Sequence, residues 1–265
     1  MKRKFLFVGA ALLAFALLSV IIVPVWAGGG DKGWSMLAID GGGQVVVNQN
    51  AYHNSTIQLK KDTVTLSQAF DPTFENESSA PAFPAAERYN NAFLIGYRGY
   101  QPSSKKDVVW TFDFKINPNF YGTTGFVIER KDTFAATGEF QGPNFDFFGI
   151  SYLGPENVGA GFTCLNVVNS QFANTQPLSV DPFQWNAYEI RFHKVDATNT
   201  LATVRINGQP ACEMTIADLG ETEVQIWSDN YKLGMDANWN VIRDFNNKPD
   251  PQSVTFRNVT VKMKK

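Results

Sequence analysis

Beyond the N-terminal region, hydrophobic and polar residues alternate along the chain with a period of two. In VVWTFDFKI (108–116) every second residue is large and apolar, and NAYEIRFHK (186–194) and LATVRIN (201–207) repeat the pattern. A period of two places alternate side chains on opposite faces of a strand, one face buried and the other solvated. The pattern therefore predicts half-buried β-strands rather than helices.

Short apolar runs bounded by Gly, Pro and Asn predict further strands. They cover residues 43–48, 55–60, 63–67, 92–98, 125–130, 145–153, 161–168, 213–218, 223–228 and 254–263. The last run changes phase between Phe256 and Val259, which predicts a β-bulge. Residues 69–91 and 230–252 break the alternation and are predicted as long loops. So many short strands predict an all-β sandwich or barrel.

The first 27 residues follow a different pattern. Basic MKRK (1–4) precedes an uncharged apolar run, and Val25 and Ala27 are small residues at the −3 and −1 positions of a cleavage site. This order predicts a secretory signal peptide cleaved after Ala27. The alternative is an uncleaved membrane anchor through residues 5–26, since about 20 apolar residues can span a bilayer. Either version places the rest of the chain outside the cytoplasm, so a secreted, periplasmic or cell-surface protein is expected.

The remaining chain is predicted to form one domain. Residues 28–33 (GGGDKG) form a Gly-rich spacer, and residues 34–265 contain no internal repeat and no linker that would divide them. The formal net charge is −2, and no Lys/Arg cluster follows the first four residues. This balance argues against a nucleic-acid partner and against an anionic membrane surface.

Cys164 and Cys212 are the only cysteines of the chain. An exported protein folds where disulfides persist, so a Cys164–Cys212 disulfide is predicted, with two buried free thiols as the alternative. With His53 and His193 the cysteines match no zinc-ligand spacing.

The best-patterned stretch is WNAYEIRFHKVDATNTLATVRINGQPAC, from Trp185 to Cys212. It reads as a Trp-led strand, a polar turn and a second strand that ends in Asn207-Gly208, a pair that supplies the positive φ angles of a tight hairpin. Together with the closing run VTFRNVTVKM, this order resembles the concanavalin A-like lectins and glucanases, which include laminin-G-like modules and laminarinase-like glycoside hydrolases. The resemblance implies a jelly-roll sandwich of two antiparallel sheets, a fold that hosts lectins, hydrolases and inert structural modules.

The resemblance also implies where catalytic carboxylates would lie. Retaining glycosidases of this fold carry a Glu-x-Asp-x-(x)-Glu pattern on a strand before the hairpin, with catalytic carboxyls about 5–5.5 Å apart. The Glu-x-Glu pairs at 75–77 and 221–223 lie in a predicted loop and after the hairpin, respectively. Strands before the hairpin offer single acids, Asp113, Glu129 and Asp146. Glu129 with Asp146 is the catalytic alternative, and solvated or ion-paired carboxylates are the other interpretation.

Aromatic residues are mixed with Asn and Asp in IWSDNYKLGMDANWN (226–240), and Tyr with Arg in GYRGYQ (96–101). Sugars stack on aromatic rings and hydrogen-bond to amides and carboxylates, so these segments are candidate ligand-binding loops. The candidate residues are Tyr97, Arg98, Trp227, Asp229, Asn230, Tyr231 and Trp239. The alternative is that Trp227 ends a core strand and Trp239 packs the loop onto the sandwich. No cofactor is expected, apart from a calcium ion held by Asp229 and Asp236 as a weaker alternative.

These observations predict an exported, non-catalytic carbohydrate-binding or surface-interaction module whose partner is a polysaccharide or another glycan. Two alternatives stay open. One is a glycoside hydrolase with a non-standard carboxylate pair, and the other is a purely structural extracellular β-sandwich.

Overall fold

The computed structural model describes residues 23–24, 35–39, 55–60, 63–69, 91–95, 100–130, 146–168, 171–235, 241–245 and 248–265. The strands in chain order are β1 (Val23–Pro24), β2 (Ser35–Ile39), β3 (Ser55–Lys60), β4 (Thr63–Gln68), β5 (Asn91–Ile95), β6 (Asp107–Ile116), β7 (Thr123–Arg130), β8 (Phe147–Leu153), β9 (Gly161–Val168), β10 (Gln171–Pro177), β11 (Asn186–Lys194), β12 (Asn199–Ile206), β13 (Gln209–Ala217), β14 (Thr222–Asp229), β15 (Tyr231–Met235), β16 (Val241–Phe245) and β17 (Gln252–Lys264).

The strands form two main antiparallel sheets. The large sheet has eight strands in the order β1-β2-β5-β14-β7-β8-β9-β10, and the small sheet has seven in the order β13-β12-β11-β6-β17-β4-β3. Strands that are neighbours in a sheet are often distant in sequence, as β14 beside β7 and β17 beside β6. The predicted all-β sandwich of two antiparallel sheets is therefore confirmed.

Aromatic side chains fill the space between the two sheets. Phe112 of β6 stacks on Phe126 of β7 with ring centroids 3.8 Å apart, and Trp110 meets the same ring edge-on at 6.2 Å. On the small sheet, Phe114 and Phe256 lie 4.6 Å apart. Such rings bury large apolar areas and interlock geometrically, so they fix how the sheets face each other. Alternate residues of each strand consequently face away from this core.

The hairpin that carries the resemblance forms as predicted. β11 pairs with β12 from Tyr188↔Ile206 to Lys194↔Thr200. β12 then turns into β13 at Asn207 and Gly208. These two residues have φ angles of 52° and 80°, the left-handed region that Asn and Gly tolerate best.

The predicted bulge in the last strand is also confirmed. The pairing of β17 with β6 shifts register between Arg257 and Thr260. Asn258, within this shift, has a φ of 54°. The bulge places Asn258 on the exposed side of the small sheet.

The predicted disulfide is present and links the two sheets. Cys164 of β9 in the large sheet is bonded to Cys212 of β13, the edge strand of the small sheet. The Nε2 of Gln176 donates a hydrogen bond of 3.1 Å to the carbonyl of neighbouring Ala211. Together these contacts connect the sheets at one edge.

Two expectations from the sequence need correction. The stretch 230–252 is not one loop, because Tyr231–Met235 and Val241–Phe245 pair as a two-stranded ribbon. Gln171–Pro177 is a strand that alternation did not predict, because QFANTQP is mostly polar. The predicted strand 43–48 and most of the predicted loop 69–91 lie outside the described residues.

At the N-terminus, Val23 and Pro24 pair with Met36 and Ser35. The other residues of the predicted signal segment 1–27 lie outside the described part, so cleavage and anchoring stay predictions. Among the described residues, no helix has the length and apolar character needed to cross a membrane.

Candidate functional site

The outer face of the large sheet is where a strand-borne catalytic set would be displayed. Phe126, Ile128, Phe148 and Ile150 belong to the core, so the alternate residues of β7 and β8 point outward. The outward residues are Thr123, Gly125, Val127 and Glu129 on β7 and Phe147, Gly149, Ser151 and Leu153 on β8. Glu129 is the single carboxylate among these positions.

This face is covered over much of β7 to β9. Val127 is 1 % exposed, Glu129 0 %, Phe147 9 % and Leu165 4 %. A ligand approaching the face therefore does not meet these side chains directly. The covered surface is unlike an open aromatic platform, because its described side chains are mainly aliphatic or small.

The structure does not place Glu129 and Asp146 opposite each other. Glu129 is the cross-strand partner of Phe147, whereas Asp146 lies level with Arg130 and accepts a 3.0 Å hydrogen bond from its guanidinium. Neighbouring positions on a strand face opposite ways. Because of its contact with Arg130, Asp146 is an ion-paired carboxylate beside the end of β7. Its catalytic role stays a prediction.

The register brings a different acid to Glu129. On its other side, Glu129 pairs with Glu223 of β14. Sequence reasoning missed this pair because Glu223 follows the hairpin in the chain, and only the return of β14 between β5 and β7 makes it a neighbour.

Trp227 of β14 packs against the large sheet. Its indole is 6 % exposed and donates through Nε1 to the Thr123 hydroxyl at 3.1 Å. The ring lies over Gly125 of β7, where an added Cβ would come within 2.3 Å of it. Because Gly125 has no side chain, the indole of Trp227 can lie flat on the sheet.

Asp229 is equally integrated into the fold. Its carboxylate accepts hydrogen bonds from the backbone N–H and the hydroxyl of Thr123, at 3.0 and 2.8 Å. Its carbonyl accepts a 2.6 Å bond from the side chain of Gln252 in the small sheet. Asp229 and Asn230 are at most 1 % exposed. These residues stabilise the end of the sandwich, and a role in ligand binding stays a prediction.

A buried polar network continues from Asp229 between the sheets. The Gln252 Oε1 accepts from the N–H groups of Tyr121 and Gly122 at 3.0 and 2.9 Å. Gln68 exchanges two hydrogen bonds with Ser228, at 2.9 and 2.7 Å. A satisfied buried network of this kind fixes a unique arrangement of the elements it joins.

The other predicted ligand residues are only partly placed. Tyr231 begins β15, opposite Phe245. Tyr97, Arg98, Trp239 and Asp236 lie outside the described residues. Within the described ranges, no group of three or more His, Cys, Asp or Glu side chains is arranged to hold a metal ion. Calcium binding by Asp229 and Asp236 accordingly stays a prediction.

The outer face of the small sheet, in contrast, is open and charged. Asp113 accepts hydrogen bonds of 2.9 Å from the Nε of Arg257 and from the amide of Asn258. The Arg257 guanidinium lies 4.0 Å from the ring centroid of Trp185, an indole that is 39 % exposed. Sequence reasoning treated Trp185 only as the start of the hairpin, although an exposed Trp beside charged residues is itself a signal of a binding surface.

No protein-family model matches the chain, and no curated protein sequence matches it. Solved structures do match. One, described as a native glycosidic hydrolase, aligns with a TM-score of 0.51 and 11 % identity over 90 % of this chain and 93 % of that one. A prokaryotic β-1,3-1,4-glucanase (lichenase) derived from a mouse hindgut metagenome aligns with a TM-score of 0.50 and 14 % identity over 90 % and 95 % of the two chains. The likeness confirms the concanavalin A-like jelly-roll fold that the hairpin indicated.

Proposed function

We propose that this chain is an exported carbohydrate-binding protein that binds a polysaccharide without cleaving it. The fold supports a carbohydrate partner, because the solved structures that share it are described as a glycosidic hydrolase and a lichenase. The inter-sheet disulfide supports export, since disulfides persist in oxidising compartments.

The proposal that the chain does not cleave its polysaccharide rests on the composition of β8. Its outward positions are Phe147, Gly149, Ser151 and Leu153, with no carboxylate among them. Retaining glycosidases of this fold place their acid and nucleophile on one strand before the hairpin, and both carboxylates are required. A strand with aromatic, small and aliphatic residues there offers no group to protonate or attack a glycosidic bond.

A panel of immobilised polysaccharides, probed with the purified chain, tests the proposal. The proposal expects retention on at least one polymer, together with no increase in reducing ends when that polymer is incubated with the chain. Retention on no polymer would contradict carbohydrate binding and favour a purely structural sandwich. Tyr97→Ala and Trp239→Ala, applied to the retained polymer, then test the ligand residues predicted from the sequence.

A second candidate function, glycoside hydrolysis, is favoured by one observation, the pairing of Glu129 with Glu223. Side chains directly opposite on adjacent strands have Cβ atoms about 4.5–5.5 Å apart. Retaining enzymes need two carboxyls about 5–5.5 Å apart, so two acids on adjacent strands are the kind of arrangement that such a reaction requires. Hydrolysis by this pair predicts reducing-end release that both Glu129→Gln and Glu223→Gln abolish and that Asp146→Asn leaves intact. Loss in Asp146→Asn would instead support the pair expected from the sequence.

A further inference from the structure

The outer face of the small sheet contains a notch centred on Ala187. Along β11 the outward side chains run from Trp185, just before the strand, through Ala187 and Glu189 to Arg191. Ala187 is the small member of this row, and Gly208 in the hairpin turn lies beside it. The result is an open depression of about 510 Å³.

The walls of the notch are polar and charged. Asp113 of β6 is the cross-strand neighbour of Ala187, and the bulge residue Asn258 lies next to it. On the opposite side, Arg205 of β12 pairs across the strand with Glu189. All of these residues line the depression, so it offers hydrogen-bond acceptors, amide donors and cations within one small area.

The anions of the notch already have cationic neighbours. Asp113 is bonded to Arg257 at 2.9 Å. Glu189 lies between Lys264 at 3.6 Å and Arg191 at 3.8 Å. Arg205 differs, because its exposed guanidinium makes no ion pair or hydrogen bond with the part of the chain that the structure describes.

A guanidinium presents paired donors whose geometry matches a carboxylate. We infer that the notch over Ala187 binds a carboxylate-bearing sugar residue of an acidic polysaccharide, with Arg205 pairing with the sugar carboxylate. Asp113 and Glu189 accept hydrogen bonds from ring hydroxyls, and the Asn258 amide adds a donor. The exposed indole of Trp185 lies outside the lining of the notch, where its ring packs against Arg257. This inference rests on the proposed carbohydrate binding and adds the ligand class and its position.

The site is separate from the predicted aromatic loops. Trp227 and Asp229 belong to β14 in the large sheet, whereas every wall of the notch belongs to the small sheet or its turns. Variants in the notch therefore leave the large sheet unchanged, and effects of the two surfaces can be measured independently.

Affinity electrophoresis in gels that contain polygalacturonate tests the inference. Matched gels contain fully methyl-esterified polygalacturonate, which has the same backbone without the charge, or a neutral β-glucan. The variants are Arg205→Gln, which removes the cation, and Ala187→Leu, which fills the notch without changing charge. Lys105→Gln is the control, because Lys105 is an exposed cation in the loop before β6, outside the notch.

The expected result is retardation of the wild-type chain in polygalacturonate but not in its methyl ester. Arg205→Gln weakens this binding by roughly tenfold, the usual effect of losing a charge-assisted pair. Ala187→Leu also weakens it, while Lys105→Gln matches the wild type. Thermal unfolding of each variant verifies that the fold is retained.

Several results would overturn the inference. Unchanged retardation of Arg205→Gln or Ala187→Leu would place the site elsewhere, and equal loss in Lys105→Gln would reduce it to unspecific charge attraction. Retardation by the methyl ester or the β-glucan alone would reject the acidic ligand and leave the proposed carbohydrate binding intact. Retardation by none of these polymers would reject the acidic-sugar site, whereas the proposed function is rejected only if the chain is also retained on no polymer of the wider panel.

Discussion

Asp196 shows how a single exposed side chain organises one end of the central hairpin. Its carboxylate accepts hydrogen bonds from the backbone N–H groups of Thr198 and Asn199, both at 2.8 Å. It also accepts from the Thr198 hydroxyl and the Asn199 amide, at 3.0 and 2.9 Å. Asp favours such turns because it can bond the backbone two and three residues ahead. The turn between β11 and β12 therefore depends on the ionised form of one residue.

These hydrogen bonds, led by the Asn199 side chain, lower the pKa of Asp196 from 3.8 to about 2. The folded pKa lies below the unfolded one, so the contribution to stability is complete above about pH 3.8 and is lost as the pH falls through about 2. Carboxyl ¹³C shifts measured by NMR against pH should show a midpoint for Asp196 near 2. A midpoint near the ordinary value would show that the turn bonds do not form in solution.

Asp229 is a second side chain with a structural role, and it is buried. Asp229→Ala leaves the buried N–H of Thr123 without its acceptor, and such a loss costs about 1–3 kcal/mol. Urea unfolding should show a decrease of about 2 kcal/mol in the free energy of unfolding. Asp250→Ala, at an exposed position, is the control and should change it by less than about 0.5 kcal/mol. Equal stability of the Asp229→Ala and wild-type chains would remove the structural role assigned to this carboxylate.

At the scale of elements, the sequence predicted those strands whose signals are local. Alternation of apolar residues located β6 and β11, and Asn207-Gly208 located the turn that joins β12 to β13. β10 escaped prediction because it lies at the edge of the large sheet, where polar residues replace the alternating pattern. The ribbon of β15 and β16 was not predicted because Asn, Asp and Gly residues in and around it are typical of turns and interrupt the alternation.

The arrangement of the candidate site could not be predicted from such local signals. Strand order depends on which distant segments pair, and that order sets Glu129 beside Glu223 and away from Asp146. The same order lays Trp227 over Gly125 and removes its indole from the surface. Composition suggested sugar-binding chemistry for Trp227 and Asp229, but burial is a property of the assembled sheets.

The disulfide stabilises the arrangement of the strands, because it joins β9 to β13 across the sandwich. It closes a loop with a sequence separation of 48, which corresponds to about 4 kcal/mol in the chain-entropy description. Reduction, or the double substitution Cys164→Ala and Cys212→Ala, should lower the free energy of unfolding by roughly that amount in urea. An unchanged unfolding midpoint after verified reduction would show that the other inter-sheet contacts suffice.

At the scale of the whole molecule, the two outer faces differ in character. The face of the large sheet is covered around Glu129 and Val127, whereas the face of the small sheet is open and carries the charged notch around Ala187. Side chains that bind a polymer need access to it, and catalysis requires a pair of carboxylates that also reach the bond. This asymmetry favours binding on an exposed surface over hydrolysis on the covered one.

Size-exclusion chromatography of a retained polysaccharide, after prolonged incubation with the chain, distinguishes binding without cleavage from hydrolysis. A single elution profile reports both association and cleavage. Binding without cleavage predicts that the protein co-elutes with the polymer and that the polymer keeps its original size distribution. Shortening of the polymer that disappears in Glu129→Gln would contradict the non-catalytic role and establish an enzyme. Elution of protein and polymer as independent peaks would contradict the binding itself.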